Sequence, residues 1–167
     1  MKMHFLILLA LFIFIGCAKQ EPSKMTSKQQ ETAKREIIDV VNEIFQSLEK
    51  MDVEALMKSY SDNYGFILLT TDASILSYQE NKNHQSDWFK SLSSLKVTTI
   101  KEEFRFLPGN IVICAWQGKF EMTLKTDVHL KIDKFGVTFI FRKIDNLWKV
   151  IYQHSSSVPP VQQKSNN

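Results

Sequence analysis

The sequence predicts an α+β domain in which three N-terminal helices pack on one face of a curved antiparallel sheet. Three observations carry that prediction. Apolar residues recur at helical spacing over residues 32–50, and from about residue 95 onward they recur at every second position. Residues 136–156 read as one long hairpin around Asp145-Asn146. Pairing Ile144 with Leu147 there puts Val137, Phe139, Phe141, Trp148, Val150, Tyr152 and His154 on one face. Thr138, Ile140, Arg142, Lys149, Ile151 and Gln153 fall on the other. The first face is aromatic and ends in a histidine, with Ser156 following it.

The 167 residues are 44% hydrophobic and 23% charged, which suits one domain, residues 30–158, with short extensions. A domain of about 130 residues buries a core without needing disulfides or metals. The net charge is only +3 and the lysines are dispersed, so the basic stripe of a nucleic-acid binder is missing. Cys17 and Cys114 sit in unlike contexts and make no disulfide framework.

The N-terminus stands apart from the domain. Lys2 precedes an apolar run over residues 5–15, followed by Gly16-Cys17. The run is too short to span a bilayer and suits the core of an export signal. A small residue before a cysteine at its end resembles a bacterial lipoprotein signal over residues 1–16, with Phe14 where that pattern favours leucine. The resemblance implies cleavage and lipidation at Cys17, the plainer alternative being an ordinary secretory signal or a single membrane anchor. Buried acyl methylenes, at about 0.8 kcal/mol each, hold such a protein on a membrane. Ala18 rather than aspartate after the cysteine implies the outer membrane over the inner, with the domain facing the periplasm.

Residues 17–29 are polar and read as a tether. From about Thr32 to Lys50, Ile37, Val40, Val41, Ile44, Phe45 and Leu48 form one stripe opposite Glu36, Asp39 and Glu43, which predicts a surface helix. Asp52 is placed to cap a second, short helix carrying Val53, Leu56, Met57 and Tyr60, which Asp62-Asn63 ends. Residues 66–70 and 74–77 read as short strands about Thr71-Asp72. Ser77 and Glu80 have capping-box spacing and open a third helix to about Leu92, burying Trp88, Phe89 and Leu92. The period then becomes two: Ile100, Phe104 and Phe106 alternate with Thr99, Lys101, Glu103 and Arg105. A three-residue turn at Pro108-Gly109-Asn110 sets Phe106 opposite Val112 and Phe104 opposite Cys114, joining the two apolar faces. Trp116 then points inward. Residues 126–135 fit either a strand extension through Val128, Leu130 and Ile132 or a long loop. The tail, residues 159–167, is polar and expected to be disordered.

This order, with the closing stretch FRKIDNLWKVIYQHSS, resembles the nuclear transport factor 2-like superfamily, in particular its SnoaL-like branch, over about residues 30–156. Arg142-Lys143, the turn, Trp148-Lys149, and His154 with Ser156 match the family's last two strands. DVEALMKSYSDNY, residues 52–64, is similar to its second helix and acidic exit. The resemblance implies a cone-shaped fold with an aromatic-lined cavity, and a homodimer through the outer sheet face, where Ile140 and Ile151 lie between Arg142 and Lys149. It says little of chemistry, since the superfamily spans isomerases, cyclases, dehydratases and binding modules.

His154 is the leading candidate for a ligand contact or a general base, because its parity is that of Trp148 and Val150. A strand-end histidine satisfied by a backbone carbonyl is the plainer alternative. Tyr60, Trp88, Phe104, Trp116, Phe139, Tyr152 and Ser156 complete the expected pocket, although aromatic residues on a curved sheet more often build core. Steroid-isomerase chemistry needs an aspartate base beside a tyrosine and a protonated aspartate. The long strands offer no inward carboxylate except Glu102, which leaves His154 and Tyr60 as the catalytic candidates. His84, His129 and His154 have no metal-ligand spacing, Cys114 reads as inert core, and no cofactor motif is present. The expectation is a membrane-anchored lipoprotein whose domain binds a small apolar ligand or a protein partner without catalysis. The alternatives are an isomerase- or cyclase-type enzyme acting on a hydrophobic carbonyl compound, and a structural envelope module with a filled cavity.

Overall fold

The computed structural model describes residues 23–62 and 65–163. Cys17 and the signal segment lie outside the described residues, as do Asn63 and Tyr64 at the end of the second helical region.

Helix α1 spans Ser27–Glu49 and starts earlier than the apolar stripe indicates. Thr26 caps it: its side chain accepts from the Gln29 backbone while the Gln29 side chain accepts from the Thr26 backbone. Polar residues expected in the tether therefore form its first turn. The helix buries Ala33, Ile37, Val41, Ile44 and Phe45. Helix α2, Val53–Met57, is capped by Asp52, which accepts from the Ala55 N–H at 2.9 Å. Strands β1 (Ile67–Leu69) and β2 (Ile75–Leu76) follow, then α3 (Tyr78–Ser91) behind the expected Ser77/Glu80 capping box.

The sheet is built from β3 (Leu92–Leu107), β4 (Ile111–Leu124), β5 (His129–Ile144) and β6 (Leu147–Ser157). Its order is β2-β1-β6-β5-β4-β3, and β1 runs parallel to β6, so the sheet is antiparallel in all but that pair. Of the ambiguous residues 126–135, 129–135 are the start of β5, while 126–128, with Val128, belong to the turn before it. The tail, expected to be disordered, instead forms β7 (Val161–Gln162) on β5 after Pro159-Pro160 ends β6.

Both hairpins have the expected register. Phe106 faces Val112, Phe104 faces Cys114, and Ile144 faces Leu147. Asp145 and Asn146 both have positive φ, at 49° and 64°, as a type I′ turn requires. Alternation fails at four irregularities, the first at Ser93, which is unpaired between Leu92 and Ser94 at the start of β3. Ile100 is unpaired between Thr99 and Lys101, which leaves it 53% exposed. Between Phe135 and Ile132, β5 carries an extra residue against β4. In β6, Ile140 pairs with Tyr152 but Phe141 pairs with Val150, so Ile151 is the extra residue. That last bulge decides what the concave face presents.

Candidate functional site

Between the C-terminal half of α1, helix α3 and the sheet lies a cavity of about 350 Å³, at the low end of small-molecule sites. Ile44, Phe45 and Leu48 form one wall, Trp88 another, and Phe135 and Phe139 contribute from the sheet. Its polar lining is Tyr60, Thr70, Thr71, His84, Gln85, Gln153 and Ser155.

Two of these, Gln153 and Ser155, come from β6 because of the Ile151 bulge. Beyond it the strand's inward parity changes from even to odd, so Gln153 and Ser155 turn toward the helices. Tyr60 sits beside them because residues 59–61 add to the edge of β6: the Val150 N–H donates to the Ser59 carbonyl and the Ser61 N–H to the Val150 carbonyl, each at 2.9 Å. The Tyr60 hydroxyl donates to Gln153 Oε1 at 2.8 Å, and Gln153 Nε2 donates to Ser155 Oγ at 3.0 Å. Tyr60 is buried and packs edge-on to Phe66 at 5.1 Å. Burial pushes its phenol above the ordinary value, so it stays protonated and works as a hydrogen-bond donor.

The model of the SnoaL-like domain matches residues 37–161, three quarters of the sequence. The chain belongs to the SnoaL-like domain family. None of the curated proteins matches it at the level of sequence. Solved structures share the fold at low identity. A crystal structure of LinA is 10% identical, with a TM-score of 0.75 over 84% of this chain and 96% of that one. A putative scytalone dehydratase from Novosphingobium aromaticivorans is 8% identical, with a TM-score of 0.75 over 84% and 94%. A nuclear transport factor 2-like superfamily protein from Salmonella enterica serovar Typhimurium is 14% identical, with a TM-score of 0.70 over 83% and 98%.

The SnoaL-like domain places only some of the expected site residues at its cavity. Tyr60, Trp88 and Phe139 line it. Trp116 is inward but lies in the core beneath it, 2% exposed, with Nε1 donating to Thr99 Oγ1 at 2.9 Å and its ring 4.4 Å from Phe45. Phe104 also faces α1, away from the cavity, with Lys34 Nζ 5.7 Å from its ring centre. Tyr152, His154 and Ser156 are on the other face of β6: the bulge reverses their parity, and His154 and Ser156 are exposed. The histidine at the cavity is His84, on the exposed side of α3. The sequence carries no local signal for this reversal, because both parities of YQHSS hold polar residues.

No Asp, Glu, Lys or Arg is among the described residues that line the cavity. Glu102 is inward as expected, and burial pushes its carboxyl up, with Lys34 partly opposing. It serves the region around Cys114, whose thiol is pushed up to about 12 by burial and by the Glu102 charge. A fully buried thiol of that kind is an unreactive core residue. Among the described residues no group of three His, Cys, Asp or Glu side chains is arranged to hold a metal ion.

Proposed function

We propose that this SnoaL-like domain holds a small, mostly apolar molecule in its cavity without transforming it. The observation that carries the reading is a cavity walled by aliphatic and aromatic side chains whose polar chain, Tyr60 to Gln153 to Ser155, has no carboxylate among the described residues that line the cavity with it. A general base poised against an acid is what acid–base turnover needs. Native mass spectrometry of the full chain from its own host, followed by denaturing extraction, tests the reading. A co-purifying molecule retained in His154→Ala and lost in Gln153→Ala is expected. A clean mass, with no thermal shift across lipids and metabolites, would instead favour a module whose cavity is structural.

A second reading is supported by His84, an exposed residue of α3 that lines the cavity, and by the fold shared with a hexachlorocyclohexane dehydrochlorinase (LinA) and the putative scytalone dehydratase. It is elimination on a hydrophobic substrate with His84 as base. Turnover in a dehydration or dehydrohalogenation screen, abolished by His84→Ala, would establish it.

Two further features belong to the same proposal. Lipidation at Cys17 would hold the domain at the outer membrane, facing the periplasm, through a tether whose Cys17-to-Ser23 portion reaches at most about 20 Å. Two copies would pair through the outer sheet face, where Ile113, Ile140 and Tyr152 align across β4, β5 and β6 and continue to Ile67 on β1. Tyr152 takes the place in this band that alternation assigns to Ile151.

A further inference from the structure

The polar chain in the cavity carries four hydrogens, one on each hydroxyl and two on the Gln153 amide, and its own bonds use two of them. Tyr60 and Ser155 each carry one hydroxyl hydrogen, and Gln153 lies between them with one carbonyl and one amide group. The Tyr60 hydroxyl uses the Gln153 carbonyl at 2.8 Å, and the Gln153 amide uses Ser155 Oγ at 3.0 Å. The Ser155 hydroxyl hydrogen and one hydrogen of the Gln153 amide are then left over. Turning the Gln153 amide over only moves the surplus: Ser155 would donate to the carbonyl, the amide would donate to Tyr60, and the Tyr60 hydrogen would be left. In both arrangements a hydroxyl donor remains on a residue that lines the cavity. Both residues are more than nine-tenths buried, so bulk water is a poor acceptor for it.

We infer that the cavity recognises a neutral hydrogen-bond acceptor, a carbonyl or ether oxygen on an otherwise apolar molecule, through the spare hydroxyl hydrogen of the Tyr60–Gln153–Ser155 chain. The inference rests on the binding reading above and specifies its ligand class. A carboxylate would also accept, but no Lys or Arg among the described residues lines the cavity to balance its charge. Hydrogen bonds in series polarise one another, so the terminal donor is stronger than an isolated serine or tyrosine. The surrounding aromatic walls select the apolar remainder of the molecule.

The test compares 2-acetylnaphthalene with 2-ethylnaphthalene, which share size and shape and differ in the carbonyl. Binding to the full chain is measured in one detergent, with protein-free micelles as the blank. The ketone should bind about five- to twenty-fold more tightly. Tyr60→Phe, Gln153→Met and Ser155→Ala together remove every donor of the chain in either orientation of the Gln153 amide and should bring that preference below about two-fold, with continued binding of the hydrocarbon reporting an intact cavity. Infrared spectra of the bound ketone add a readout that does not depend on affinity. Its carbonyl stretch should lie below the value in hexane for the native chain and return toward it in the Tyr60→Phe, Gln153→Met, Ser155→Ala variant. Equal binding of the two probes, with the stretch at its hexane value, overturns the inference and leaves the binding reading standing. Binding of neither probe overturns both.

Discussion

Trp116 and Gly118 work as a pair, and only their geometry explains the glycine. The indole of Trp116 folds back along its own strand over Gly118, so a Cβ at position 118 would lie 2.2 Å from the ring and 2.4 Å from the Thr98 carbonyl oxygen. Gly118→Ala should therefore destabilise the domain by about 2 kcal/mol or more, read by chemical denaturation, because ring and backbone cannot both retreat. Gln85 has the opposite sign. Its Nε2 donates to the buried Asn81 at 3.3 Å, while its Oε1 is buried with no partner among the described residues. Gln85→Met with Asn81→Leu keeps both shapes and removes the orphaned acceptor together with the buried amide that paired with its Nε2, and should raise stability by about 1 kcal/mol.

Acid sensitivity also has named sources at this scale. The Thr70 hydroxyl and the Ser74 N–H hold the Asp72 carboxyl down to about 2. Hydrogen bonds from Lys143 Nζ at 2.8 Å and Trp148 Nε1 at 2.7 Å lower that of Glu36. Both groups are depressed in the folded state, so their contribution is complete above their ordinary values of 3.8 and 4.5 and is lost as pH falls through the folded ones. The thermal midpoint should fall between about pH 5 and pH 2, and Asp72→Asn should make that fall shallower.

Among the elements, β6 is the one whose irregularity shapes the site. Strand period and turn chemistry place its first half correctly, since Trp148 and Val150 are buried as alternation requires. The bulge at Ile151 follows from how the edge of β6 is used: residues 59–61 pair with it at Val150, and β1 pairs with it from Tyr152 onward. Those partners are more than 80 residues away in sequence, beyond the reach of local pattern. Deleting Ile151 should restore uninterrupted alternation, turn Tyr152 and His154 inward, and expel Gln153 and Ser155. Loss of cavity binding with retained β-sheet circular dichroism is the expected result. At the hairpin tip, Asn146 holds a φ of 64°, so Asn146→Val should cost about 1–2 kcal/mol in a denaturation experiment.

At the scale of the molecule, α1 separates two ends. Its N-terminus shares a cleft with Asn110, Lys143 and Trp148 near the hairpin tips, while Ile44 and Leu48 reach the cavity about 25 Å further along the helix axis. If Cys17 carries the lipid, the tether leaves from the end opposite the cavity. A fluorophore at Leu147, which is 59% exposed beside the tips, should then be quenched by spin-labelled headgroups more than one at Thr71 on the cavity rim. Equal quenching would remove that orientation. Dimerisation is tested separately: Ile140→Glu with Tyr152→Glu should halve the mass seen by light scattering, and an unchanged mass would remove the outer-face dimer.

The sequence by itself determined the order of the three helices, the small hairpin between them, β3, β4 and the closing hairpin, the caps of α2 and α3, the registers at both hairpin turns and the inward aromatic face as far as Val150. Each depends on residues within a few positions of one another, where spacing and turn chemistry act directly. It also marked Tyr60, Trp88 and Phe139, whose apolar bodies belong inside under any packing. Only the tertiary structure decided that His154 faces outward, that His84, Gln153 and Ser155 face the cavity, and that Trp116 is core beneath it. The reason is physical: a single extra residue in a strand reverses every side chain after it, and whether a bulge forms depends on edge partners distant in the chain.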